Sequence, residues 1–293
     1  MNRFVHRQSD GWFDLPLCLT SGQSFRFEEV AHGHWVGMDG AYRYEFFIDG
    51  NQTEVQTNAD EEAFRKLFCL QTDAAAVRAS LTELAQEMTP YMSRMTGLRP
   101  MQPTDPVETF FSFLCAGNNN LPRIRQMVRK LSYFGPFAFE VNGTRFHRFP
   151  NLSELQAADE PRLRELGFGY RAKWIPAAVN RLGGQPNFFE DLRAQPYEEA
   201  HERLLEFEGV GHKLADCILT FCAHRHDVAP LDTHLWNAAT TLYFPEWRGK
   251  AITDHRYLAV SQMLRSKFGD LCCWAQLFLY FGQRDQQRER SQK

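Results

Sequence analysis

Leu204-Leu205-Glu206-Phe207-Glu208-Gly209-Val210-Gly211-His212-Lys213-Leu214-Ala215-Asp216-Cys217 joins two helical patterns through a Gly209-Val210-Gly211 turn. Glycines in such a turn let the main chain approach a ligand closely, and the helix that follows starts with unpaired N–H groups. A phosphate suits that place by size and by charge. A tight turn with glycines placed only for packing accounts equally for the pattern. Lys213 sits in the first turn of the second helix, where the macrodipole disfavours a cation. Partly desolvated there, its amine is expected to titrate below the ordinary lysine range and to be available as a nucleophile. A solvated surface lysine is the plain alternative. Cys217 follows at i+4, so thiol and amine share one helix face.

Outward from this stretch, Asp232 opens the next helix in Ala229-Pro230-Leu231-Asp232-Thr233-His234. N-capping alone would explain an aspartate there. The same position keeps a carboxylate ionised, which suits the stabilisation of a developing positive charge. One helix and one turn separate Lys213 from Asp232, so the two helix N-termini could converge. Asn118-Asn119-Asn120-Leu121-Pro122-Arg123 interrupts two apolar helices. It reads as a loop capped by Asn120, or as a base-reading loop, since amides and arginine offer paired hydrogen-bonding groups. Gly169-Tyr170-Arg171 is either a turn or a wedge for the gap left by an extruded base. Gln276 and Tyr280 share a helix face, as an edge reader beside a stacking ring or as ordinary helix residues.

Tyr42, Tyr44, Phe46 and Ile48 alternate with Arg43, Glu45, Phe47 and Asp49 within a strand-like region from residue 24 to 57, punctuated at Gly33, Asp39-Gly40 and Asp49-Gly50-Asn51. An antiparallel meander with one buried face follows. Helices are expected over 60–70 and 72–95. Gly97 to Pro106, with three prolines, breaks the periodicity as an interdomain connection. Asp105-Pro106 starts a helix, and the pattern beyond is helical nearly throughout. Helices are expected over 152–165, 171–182, 197–206, 212–224, 233–243, 254–267 and 271–282. The fold class is α+β. An N-terminal antiparallel β-sheet lobe with helices covers residues 1–103, and an all-α lobe covers 104–283. A polar tail, 284–293, is expected to be disordered.

The chain has 293 residues, 43% hydrophobic and 24% charged, with a net charge of −3. That is an ordinary globular composition and excludes a bulk-basic DNA-coating protein, although basic residues can still gather on one face. No apolar run approaches the ~20 residues of a membrane span, and Met1-Asn2-Arg3-Phe4 opens no signal peptide. The seven cysteines show neither a paired framework nor the spacing of an iron–sulfur or zinc site. Cys222, His224 and His226 read as helix-end residues rather than metal ligands.

In one order, Ser21-Gly22-Gln23-Ser24-Phe25-Arg26, Asn118-Asn119-Asn120, Gly169-Tyr170-Arg171, Gly209-Val210-Gly211-His212-Lys213, Asp232-Thr233-His234 and Trp274-Ala275-Gln276 resemble the eukaryotic-type 8-oxoguanine DNA glycosylase family of the helix-hairpin-helix superfamily. The resemblance runs from about residue 12 to 282. It implies a helix-hairpin-helix glycosylase lobe after the sheet lobe, and a bifunctional glycosylase and lyase acting on oxidised purine in duplex DNA. Lys213 would be the nucleophile at C1′, and Asp232 would support the cationic transition state. The Gly22 carbonyl would accept a hydrogen bond from N7–H of 8-oxoguanine; guanine would oppose that carbonyl with a lone pair. Gln276 would meet the Watson–Crick edge, with Cys217 and Tyr280 on the two ring faces. His234 would hold the flipped nucleotide's phosphate, and Gly209 and Gly211 would let the hairpin approach DNA. Asn118, Arg123 and Arg171 would hold the orphaned cytosine, with Tyr170 as wedge. A monomer without an iron–sulfur cluster or other cofactor is implied, with room for a structural cation at the hairpin. Its place would be the bacterial cytoplasm, with the nucleoid, or a eukaryotic nucleus.

Two positions depart from the family pattern. Glu208 stands where the hairpin usually has proline and adds negative charge near the phosphate site. Tyr280 stands where phenylalanine is common, and its hydroxyl needs a partner or solvent. Two rivals remain: an alkylpurine glycosylase of the same fold, which would lack the lysine, and a non-catalytic hairpin module, which would need neither Lys213 nor Asp232.

Overall fold

The alternation from Tyr42 to Asp49 is that of a strand with a dry face. In the computed structural model, which describes residues 1–7 and 12–291, it is the central strand of a five-stranded antiparallel sheet. The strands are β1 Asn2–Arg7, β2 Phe27–Ala31, β3 His34–Asp39, β4 Tyr42–Asp49 and β5 Gln52–Thr57, in the order β1-β5-β4-β3-β2. Phe46 lies opposite Trp35 on one neighbour and Val55 on the other, and all three are buried. β1 lies outside the sequence-based sheet region. None of its residues is buried, so this edge strand carries no apolar alternation to read.

The second face of the sheet is also covered in part. Strands β6 Phe137–Val141 and β7 Thr144–His147 form a hairpin that packs Phe139 and Phe146 against Val36 and Met38. The sequence-based reading takes this region as helical. Its overlooked signal is Asn142-Gly143, both at positive φ, the pairing that a two-residue hairpin turn favours. Glu45, on the covered face, is buried beside His34 and Arg43.

The expected helix over 72–95 is broken into Ala74–Leu84, a 3₁₀ turn at Gln86–Met88 and Thr89–Met92. Pro90 lacks the N–H that a continuous helix would use, so the chain restarts around it. The span 152–165 likewise divides into Leu152–Leu155 and Glu160–Glu165, because Asp159 caps the second piece and Pro161 fits its first turn. At the C-terminus the last helix runs from Cys272 to Ser291. The tail expected to be disordered from 284 is therefore helical to Ser291, and only 292–293 fall outside the described residues. Glutamine, arginine and glutamate are good helix formers, so polarity there does not end the helix.

Burial groups the chain differently from its order. One core joins the sheet and residues 59–101 to residues 229–281; the other is built from Phe25 and residues 110–228. The chain thus crosses to the second core near residue 103 and returns near 229. The connection itself is firmly held: the buried Arg99 donates to the carbonyls of Phe68, Trp12, Cys69 and Thr72.

At the seam, Glu108 in helix Pro106–Ala116 is buried, 3.5 Å from Arg26. Burial pushes its carboxyl up from 4.5 to about 8, with Arg26 opposing. A proton kept by the folded state but released by the unfolded one stabilises fully below the unfolded pKa, and that stability is lost as pH rises toward 8. Glu108→Gln should therefore gain on the parent as pH rises. In thermal melts from pH 6 to 9, the variant-minus-parent Tm difference should increase up to about pH 8 and level off above it; a flat difference throughout would refute this protonation.

Candidate active site

The two hairpin helices are Tyr197–Leu205 and His212–Phe221. Their turn glycines have different jobs. Gly209 is at φ +87, and a Cβ on it would fall 2.4 Å from the Trp174 ring. Any side chain there is excluded by conformation and by space. Gly211 has φ −101 and ψ 179, which any residue adopts, and no described atom lies within 4 Å of where its Cβ would be. Its bare Cα leaves an open approach to the N-terminus of the following helix, which no described side chain caps. This is the geometry an anion needs. The exposed Glu208 is turned aside into an ion pair with Lys173.

Lys213, Cys217, Asp232, Gly22, Gln276 and Tyr280 all line one cavity of about 280 Å³. The two cores meet here: Cys217 and its helix pack in one, and Leu231 and Leu235, flanking Asp232, pack in the other. Asp232 caps helix Thr233–Tyr243, accepting from the Leu235 N–H at 2.9 Å. With that bond in place its charge also acts on Lys213.

The expected depression of the Lys213 pKa is not met. Burial pulls the ammonium down, but Cys217, by charge and hydrogen bond, then Asp232 and Tyr280 pull it up by more, leaving it above its ordinary value. Helix position and desolvation together gave the wrong sign, because the groups that decide it face the lysine from the next turn and from other helices. The resting amine is thus held as an ammonium.

Gly22 is at φ +85, and a Cβ there would come within 3.0 Å of Leu121 Cδ2. Its loop is held by the buried Gln23, whose amide donates to the Arg99 carbonyl at 2.9 Å and accepts from the Met101 N–H at 2.9 Å. The proline-rich connection therefore positions the Gly22 loop. Gln276 is buried, and Cys217 is only 3% exposed, so neither faces bulk water. Tyr280 sits edge-on to His234 at 5.4 Å, and its hydroxyl hydrogen-bonds Arg284, the partner its extra oxygen needs. His234 Nδ1 is buried with no partner among the described residues.

A second cluster lies beside the cavity. Asn118 and Tyr170 are exposed on two turns and Arg123 in the first turn of helix Leu121–Ser132: Arg123 donates to the Gly167 carbonyl at 3.2 Å, and the Tyr170 hydroxyl to that of Gly117 at 3.3 Å. Arg171 is placed otherwise. It is buried, and its guanidinium donates to the carbonyls of Gly117 and Asn118. These bonds hold Asn118 in its positive-φ conformation, at +48. Sequence reasoning overlooked Trp174, which packs against Tyr170 with ring centroids 4.8 Å apart and fills the space in front of Gly209. Its signal was the i,i+4 spacing from Tyr170.

Residues 5–110 match the family model described as 8-oxoguanine DNA glycosylase, N-terminal domain. The chain is 31% identical over 292 residues to an Arabidopsis thaliana N-glycosylase/DNA lyase OGG1, covering 92% of this chain and 77% of that protein. This chain belongs to the 8-oxoguanine DNA glycosylase family. The glycosylase is also similar to a Clostridium acetobutylicum 8-oxoguanine glycosylase/lyase solved with duplex DNA containing cytosine opposite 8-oxoG. The TM-score is 0.83 at 25% identity, over 97% of this chain and 98% of that one. A 3-methyladenine DNA glycosylase from Archaeoglobus fulgidus, with a TM-score of 0.63 at 19% identity over 96% and 98% of the two chains, shares the fold. Among the described residues of the glycosylase, no group of three or more His, Cys, Asp or Glu is gathered to hold a metal. None of its described helices is long and apolar enough to cross a membrane.

Proposed function

We propose that this glycosylase extrudes 8-oxoguanine from duplex DNA, preferably opposite cytosine, and excises it through a Lys213 Schiff base, followed by β-elimination. The observation that carries the reading is the convergence of Lys213, Cys217, Asp232, Gly22, Gln276 and Tyr280 on one cavity. In this reading, deprotonated Lys213 Nζ bonds C1′ as the C1′–N9 bond breaks. The electron pair leaves with the base, which takes up a proton. Asp232 stabilises the positive charge that builds on the sugar. Ring opening gives the imine, C2′ loses a proton, and the 3′ phosphate departs. Gly22 reads N7–H, Gln276 the Watson–Crick edge, and Tyr280 and Cys217 the ring faces. Gly211 and His234 meet phosphates. No step calls on a metal or cofactor.

Incubation with a single-lesion duplex in the presence of borohydride tests this reading. A covalent adduct on 8-oxoguanine duplex, and none on undamaged duplex, is expected. Base release without any adduct would exclude the lysine route.

Asn118, Arg123 and Arg171 are assigned to the orphaned cytosine and Tyr170 to the wedge, with the buried Arg171 also holding the Gly117 and Asn118 carbonyls. Arg123→Ala should then compress the ratio of excision rates opposite cytosine and opposite adenine by about tenfold, since one base contact is worth ~1–3 kcal/mol. An unchanged ratio would remove Arg123 from opposite-base reading.

A further inference from the structure

Behind the cavity, the side chain of Asp216 is fully buried on the same helix as Lys213 and Cys217. A carboxylate without solvent needs donors on both oxygens. It has them: the Tyr197 hydroxyl donates to Oδ1 at 2.8 Å and the Tyr257 hydroxyl to Oδ2 at 2.6 Å. His201 Nε2 stands 3.7 Å from Oδ1.

The Tyr257 hydroxyl has a second bond. It accepts from the main-chain N–H of Leu231 at 3.2 Å. Leu231 immediately precedes Asp232. One oxygen therefore connects the helix that carries Lys213 to the residue before the N-cap that carries Asp232. Tyr257 belongs to helix Asp254–Phe268, is 3% exposed, and has its ring stacked on His212 at 5.3 Å. His212 is the residue before Lys213. The ring and the hydroxyl thus hold the Lys213 helix at two points.

The two catalytic groups lie on segments packed in different cores, so their separation is not set by either core alone. We propose that Tyr257, with Asp216 as its acceptor, is a positioning residue that sets the spacing of Lys213 and Asp232 across the seam between the cores. Tyr197 gives a built-in comparison. It bonds the same carboxylate, but links it to the preceding hairpin helix rather than to the Asp232 segment. Fixed bonds of this kind matter because small misplacements of reacting groups cost large factors in rate.

The inference rests on Lys213 and Asp232 working as a pair, so the parent is tested first for its borohydride adduct. Without that adduct the functional reading itself fails. With it, Tyr257→Phe and Tyr197→Phe are compared with the parent, all well below their Tm, for single-turnover excision from saturating 8-oxoguanine duplex and for Kd. Tyr257→Phe should cut the single-turnover rate by about tenfold while Kd stays within twofold of the parent. Tyr197→Phe should lower Tm but keep the rate within twofold. If Tyr257→Phe excises at the parent rate, or both variants slow equally, the clamp between the catalytic segments is overturned.

Discussion

Lys213→Gln is expected to bring base release to background and to leave no adduct after borohydride treatment. The amide keeps polarity and most of the length but has no amine to bond C1′. Binding to lesion duplex should persist, because the hairpin's main-chain approach at Gly211 does not use this side chain. Asp232→Asn is the informative partner. Asparagine caps a helix as well as aspartate does, so the bond from the Leu235 N–H survives and only the charge is removed. Excision should slow by ~10²–10³ and some adduct should still form. Single-turnover base release and the trapping gel, read side by side, check both. Adduct from Lys213→Gln at the parent rate would move the nucleophile to another residue and sink the site assignment.

Gly209→Ala and Gly211→Ala should separate folding from DNA contact within three residues. Gly209→Ala forces a side chain onto φ +87 and into the Trp174 ring at 2.4 Å. Conformational strain and overpacking together should cost about 2–4 kcal/mol of stability, seen as a lower Tm, with DNA affinity falling as a consequence. Gly211→Ala meets no described atom and needs no unusual φ. Its Tm should fall only by the cost of a poorer N-cap, about 1 kcal/mol or less. Its methyl group instead fills the approach to the helix N-terminus, so Kd for undamaged duplex should rise about tenfold or more. Parent-like affinity in Gly211→Ala would remove the phosphate from this turn.

What could be read without coordinates was local. The alternation of Tyr44 and Phe46, the Asp105-Pro106 start, the Asn120 cap and the Gly209-Val210-Gly211 turn each act within a few residues. They returned as a strand, two helix N-termini and a hairpin turn. The ordered motifs likewise led to the family that the comparisons support. Where the local signals were weak or overlooked, the reading failed: β1 buries nothing, and Asn142-Gly143 went unread among helices.

Other properties depended on groups far apart in the chain, and only the tertiary structure decided them. Residues 229–281 return to the sheet and divide the cores away from chain order, because hydrophobic faces pack by shape rather than by sequence position. The Lys213 pKa rises because Cys217, Asp232 and Tyr280 surround the amine, outweighing the burial that should have lowered it. Arg171 is held on loop carbonyls, while Arg123 stays at the exposed edge. A sequence names the charges and the donors; their pairing follows from three-dimensional distance and burial, which govern electrostatic and hydrogen-bond energies.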